Sequence, residues 1–228
     1  RFHHDTLTSC PINRQQPNDQ FFSLTDFAEQ LEDYFETFPD ERRVYYERRS
    51  GQYNRQNIQN TRIVPHRNLV KLVASIFLES PHQAARRYSS LRESVGRDIF
   101  AKGHKLEPYY VSAYSAYKLD VGFRVGRIDA KLKAARFHIL LAMRYLANPA
   151  PMPRKNAKDM EAYCKKIMDI LWSNPKADEL CAAAAKLVEE VADSNYTRNE
   201  DGGFDRDDIR TQGFTEKVIA RCKEVTSK

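Results

Sequence analysis

Glycine is scarce in this chain, 8 of 228 residues, while 41% are hydrophobic, and that balance argues against turn-rich β architecture and for helices. The four cysteines (Cys10, Cys164, Cys181, Cys222) form no C-x-x-C pair. Their spacing excludes a zinc-ribbon pattern and a secreted disulfide scaffold, and it points to a reducing, cytoplasmic setting. Apolar runs such as Ile139 to Met143 fall far short of the ~20 residues a membrane span requires. No secretory leader is present, and the chain opens on Arg1 rather than Met, which reads as a piece of a longer protein. G-x-S-x-G, G-x-x-x-x-G-K-[ST], G-x-G-x-x-G and H-E-x-x-H are all missing, so neither a hydrolase elbow nor a phosphate loop is supported. No cofactor motif and no small-molecule site is evident. The six histidines lack metal-ligand spacing, and the acidic loop Asp201–Asp208 lacks the ligand register and closing Glu of a calcium site, so no metal is expected.

What the chain does have is one basic segment. Residues 42–71 hold eight Lys/Arg (Arg42, Arg43, Arg48, Arg49, Arg55, Arg62, Arg67, Lys71) against the single acid Glu47, a local charge of +7. Since the whole chain carries +6, everything outside this stretch sums to −1. Tyr45, Tyr46 and Tyr53 lie among the arginines, and Asn/Gln residues fill the gaps. Arginine forks, aromatic faces and amides together suit phosphates and unpaired bases. The candidate binding residues are therefore Arg43, Tyr45, Tyr46, Arg48, Arg49, Tyr53, Arg55 and Arg62, with nucleic acid or a protein partner as the ligand. Immediately upstream, eight acids and no base lie between Asp19 and Glu41. Internal pairing of the arginines with that acidic stretch is the competing reading, because charge runs usually mark paired or solvated faces.

Periodicity supplies the rest. An apolar stripe of Leu24, Phe27, Leu31, Tyr34, Phe35 and Phe38 predicts a helix starting near Ser23 and stopped by Pro39. Val44–Tyr46 and Thr61–Val64 read as short strand-like steps around a turn at Gly51. A helix follows Pro65, another starts at Ser80-Pro81 and runs to Val95, and a short one covers Arg97 to His104. Pro108 opens a longer, tyrosine-faced helix. Ile128, Leu132, Ala135, Ile139, Ala142, Met143 and Leu146 then predict one unbroken buried helix from Gly126 to Ala147. On it, Arg124, Arg127, Lys131 and His138 read as a basic solvent edge, with His138 also read as a hydrogen-bonded structural residue. Beyond the break at Asn148–Pro153, helices are expected over 157–172, 175–193 and 214–225. The fold class is all-α (mainly α), a multi-helix bundle or array with at most a small β element near residues 43–64. An extended lead-in covers 1–22, a helical core 23–148, and a C-terminal helical subdomain 149–228. A restriction-type nuclease core needs carboxylates and a lysine on adjacent strands. Pro39-Asp40 and Asp129-Ala130-Lys131 are the sole partial matches, ~90 residues apart with the second on a helix, and that reading is rejected.

The block Tyr45-Tyr46-Glu47-Arg48-Arg49-Ser50-Gly51-Gln52-Tyr53, followed by Thr61–Val64 and a helix ending Phe77-Leu78-Glu79-Ser80-Pro81, resembles the C-terminal half of the abortive-infection phage-resistance (AIPR) family. Asn13–Gln16 followed by Phe21–Leu24 resembles that family's asparagine/glutamine step before its acidic helix, whereas Leu7–Pro11 depart from it. The likeness runs over roughly residues 12–148 and more faintly to the end. It implies a bacterial phage-defence protein, often encoded near restriction-modification genes, with a nuclease-like N-terminal region in full-length members. No catalytic residue carries over to this half. Three readings follow: a non-catalytic module that binds nucleic acid or a partner through 42–71, the scaffold half of a nuclease-type defence enzyme, or a helical interaction module whose charges pair internally.

Overall fold

The computed structural model describes residues 25–86, 91, 99 and 103–227. The lead-in 1–22, the helix start at Ser23, the course of the third helix from 87 to Val95, and most of the short helix from Arg97 lie outside the described residues.

Helix α1 (Asp26–Glu36) begins where the Thr25 hydroxyl accepts the Ala28 N–H at 3.3 Å. Thr25 thus takes the capping role expected of Ser23. Its Phe27, Leu31 and Phe35 are buried and its acids line the other side. Two three-residue strands follow, β1 (Tyr45–Glu47) and β2 (Ile63–Pro65), paired in parallel with Tyr46 opposite Val64. A parallel pair cannot be closed by a tight hairpin, so the fifteen residues 48–62 must travel the length of the strands before returning. That crossover is the middle of the basic segment, with Arg48, Arg49, Arg55 and Arg62.

The α-helices α2 (His66–Phe77), α3 (Pro81–Ala84), α4 (Glu107–Arg124), α5 (Arg136–Ala147), α6 (Asp159–Leu171), α7 (Asn174–Asp193), α8 (Arg206–Ile209) and α9 (Gln212–Thr226) follow among the described residues. The mainly-α class expected from composition and periodicity is what the chain forms. Helix α5 is the hub, packed against α2, α7 and α9, with α4 lying against α2, α6 and α7. The Ser75 hydroxyl locks α2 to α5 by donating to the Phe137 carbonyl at 2.6 Å. One apolar cluster runs from Phe27 through Ile139 to Cys222. No described helix is long and apolar enough to cross a membrane.

The predicted single helix from Gly126 to Ala147 is two pieces. Gly126, at φ +75°, ends α4, and Asp129 sits in extended backbone with its carboxylate accepting the Lys131 N–H at 2.9 Å. A 3-10 stretch (Ala130–Ala135) follows, and α5 starts only at Arg136. The apolar stripe is continuous because 3-10 winding also places residues three apart, Leu132 and Ala135, on one face. His138 does not share a solvent edge with Arg127 and Lys131. It is buried, with its Nε2 hydrogen-bonded to Thr215 Oγ1 at 3.1 Å, and burial beside His82 pushes its pKa down to about 3. The structural role expected of it therefore holds, in the neutral form.

Candidate nucleic-acid interface

The crossover 48–62 lacks regular secondary structure over most of its length, so side chains must hold it. Gly51 adopts φ +79°, and its N–H donates to Glu47 Oε1 at 2.9 Å. The Gln52 carbonyl oxygen accepts the backbone N–H groups of Arg48 and Arg49 at 3.2 and 3.3 Å. Its amide nitrogen donates to Glu32 of α1. Glutamine is needed there because a single side chain must accept on one side and donate on the other.

Arg48 turns inward. Its guanidinium lies 2.8 Å from Glu32 and 3.0 Å from Glu29, with 11% of the side chain exposed. Burial opposes its charge, but the Glu29 hydrogen bond and the two carboxylates outweigh that and raise its pKa above the ordinary value. Arg43 ties the end of α1 to the strand, donating to the Phe38 carbonyl at 2.9 Å and pairing with Asp40 at 3.2 Å. Arg62 donates to the Asp40 and Arg43 carbonyls and lies 5.2 Å over the Tyr117 ring. Tyr46 is buried, its hydroxyl hydrogen-bonded to His66 Nδ1 at 2.9 Å. Tyr53 is also buried, and desolvation together with Glu32 pushes its phenol up to about 12. Tyr45, on the opposite side of β1 from Tyr46, is half-buried with its ring edge-on to Tyr53 at 5.4 Å.

Arg49 and Arg55 differ from all of these. Both are exposed, and neither side chain has a hydrogen-bond or ion-pair partner among the described residues. Asn54, Gln56, Asn57 and Gln59 are exposed beside them. The eight candidate residues therefore divide by position. Arg43, Tyr46, Arg48, Tyr53 and Arg62 make contacts that hold the crossover, Tyr45 flanks it, and Arg49 and Arg55 face water.

Periodicity gave no sign of two further features. Arg42 lies 4.3 Å over the Trp172 ring, and Trp172 donates to the Tyr110 hydroxyl at 3.2 Å, which ties the segment's start to the end of α6. A cationic recess also lies between α2, α4 and α5, around an ion pair of Arg136 with Asp120 at 3.0 Å. Lys71 falls in the basic segment, but Arg136 is 65 residues away in sequence, so no local pattern joins them. In the loop 201–208, Asp201 accepts the Gly203 N–H and Asp205 caps α8. No group of three or more His, Cys, Asp or Glu among the described residues is arranged to hold a metal.

The family model for AIPR proteins matches residues 13–196. The chain belongs to the AIPR family. The match spans the tyrosine–arginine block, the crossover and α2 through α7, so the abortive-infection phage-resistance association rests on most of the fold. No curated protein and no solved structure matches this chain.

Proposed function

We propose that this AIPR chain is a nucleic-acid-binding module of a bacterial phage-defence protein, acting in the cytoplasm and without catalytic chemistry of its own. Binding is by the outer face of the crossover 48–62 to single-stranded nucleic acid. Arg49 and Arg55 supply the phosphate contacts, the exposed amides of Asn54, Gln56 and Asn57 reach base edges, and Tyr45 offers a ring edge. Arg43, Tyr46, Arg48, Tyr53 and Arg62 act beneath them by holding that face in shape. The observation that carries this reading is the contrast between Arg48 and Arg49. One neutralises the acids of α1, and its neighbour is left with no counter-charge among the described residues.

The non-catalytic part is supported by the carboxylates once considered for a nuclease. Asp40 pairs with Arg43, and Asp129 caps the 3-10 stretch, so each has a structural role on a separate element. The test is binding of a labelled oligonucleotide across a salt series. Two phosphate contacts predict a log–log slope of about −1.4 for a single strand. Replacing Arg49 and Arg55 with Ala should remove that slope and leave the melting temperature unchanged. Undetectable binding at low salt, or an unaltered slope in the double variant, would refute the assignment.

A further inference from the structure

The recess around Arg136 lies apart from the exposed Arg49 and Arg55, although Asn60 and Thr61 at the end of the crossover line it. It has a volume of about 290 Å³, near the lower end of the ~300–1,000 Å³ typical of small-molecule sites. Its polar lining comes from Asn60, Thr61, Asn68, Lys71, Asp120 and Arg136, and Leu72 and Phe137 form apolar wall. A second recess of about 430 Å³ shares Asp120 and Arg136 and adds Arg124 and Lys133. Together the two recesses are lined by four cations and one acid. Arg136 pairs with that acid through a single nitrogen, Nη2, at 3.0 and 3.2 Å from its two oxygens.

Several donors there remain unused. Lys71 Nζ donates to the Arg86 carbonyl at 3.1 Å and has no carboxylate partner among the described residues, which leaves two of its three N–H groups. Arg136 Nε and the Thr61 hydroxyl are buried without a hydrogen-bond partner among the described residues. Such groups are costly unless something completes them. Burial first, and then the charges of Arg210 and Arg136, pull the Lys71 pKa down.

We propose that this recess binds a nucleoside monophosphate group, with its phosphate between Lys71 and Arg136 and its base against Phe137, the asparagine amides reading its edge. A free mononucleotide and the phosphorylated end of a strand share that chemistry. The volume suits one nucleotide rather than a dinucleotide.

Calorimetric titration of the whole chain with AMP, adenosine and inorganic phosphate tests the site. Saturable AMP binding, tighter than either of the other two, is expected. Lys71→Gln should weaken AMP by about ten- to a hundredfold, the worth of one charge-assisted hydrogen bond. Asp120→Asn should tighten it, because the competing carboxylate is neutralised and Arg136 is released. A merely structural Asp120 would not produce that gain. Replacing Arg49 and Arg55 with Ala should leave AMP binding unchanged, so this site and the crossover can fail separately. Paired 5′-phosphorylated and 5′-hydroxyl oligonucleotides then separate strand end from free nucleotide, a preference for the phosphorylated strand marking the former. Absent AMP saturation, equal binding of adenosine or inorganic phosphate, or indifference to Lys71→Gln would each overturn the proposal.

Discussion

The crossover 48–62 and helix α5 both carry arginine, and they use it in opposite ways. In α5 the backbone satisfies itself, so Arg144 is free to act as a buried clamp between elements. It has 3% exposure, reaches the Tyr163 hydroxyl at 3.3 Å and Glu79, and lies 3.7 Å over the Tyr145 ring. Glu79, at φ +51°, is held in this unusual conformation while it also accepts from the Tyr145 hydroxyl at 2.6 Å. In the crossover no ladder exists, and Arg62 within it, like Arg43 just before β1, donates to backbone carbonyls instead. A helix can therefore bury a charge as tertiary glue, whereas an irregular segment must first use its cations to stay folded. What remains beyond that need, Arg49 and Arg55, is what can serve a ligand.

Each side of this contrast can be broken separately. The largest effect should come from the helical side, where Ile139→Ala at full burial is expected to cost ~2–5 kcal/mol. Urea denaturation checks it, and a loss below about 0.5 kcal/mol would place Ile139 outside the core. On the crossover side, Arg48→Ala should cost about 3 kcal/mol by leaving the largely buried Glu32 without its cation. If its stability matches that of an Arg49→Ala variant, the inward arginine is not structural.

Acidification probes the buried histidine. Because burial holds the folded His138 pKa near 3, stability should be intact above the unfolded value of about 6.5 and decline below it. The loss is roughly 1.4 kcal/mol per pH unit between about 6.5 and 3. His82, also depressed by burial and hydrogen-bonded to the same Thr215 hydroxyl at 3.1 Å, adds to the same trend. A melting temperature that is flat from pH 7 to 5 would contradict it. A smaller change is expected from Gly51→Ala, about 1–2 kcal/mol, since a Cβ there is strained at φ +79° and would sit 2.9 Å from Asn54 Nδ2. Smallest of all, Arg49→Ala or Arg55→Ala should shift stability by within about 0.5 kcal/mol while still weakening oligonucleotide binding. A marked destabilisation would show that they, too, belong to the scaffold.

Much of the helical frame was legible without coordinates. Prolines and apolar spacing placed α6, α7 and α9 to within two residues of their observed ends, because such signals act within one turn of chain. The break at Asp129 was missed for a related reason: 3-10 and α winding both repeat apolar residues three apart, and the difference depends on one carboxylate folding back on its own backbone. Within the candidate interface, composition located the cations but could not sort them. Arg48 and Arg49 are identical and adjacent, yet one faces Glu29 and Glu32 and the other faces water.

By itself, then, the sequence determined the helical class, the position of the irregular basic segment, and the AIPR match over residues 13–196. Those are properties of local spacing and of residue order. Only the tertiary structure decided which arginines are neutralised, that His138 is neutral and buried, and that Lys71 and Arg136 meet across a recess. Charge pairing and desolvation depend on distances through space, and helix packing sets those distances between residues that are remote along the chain.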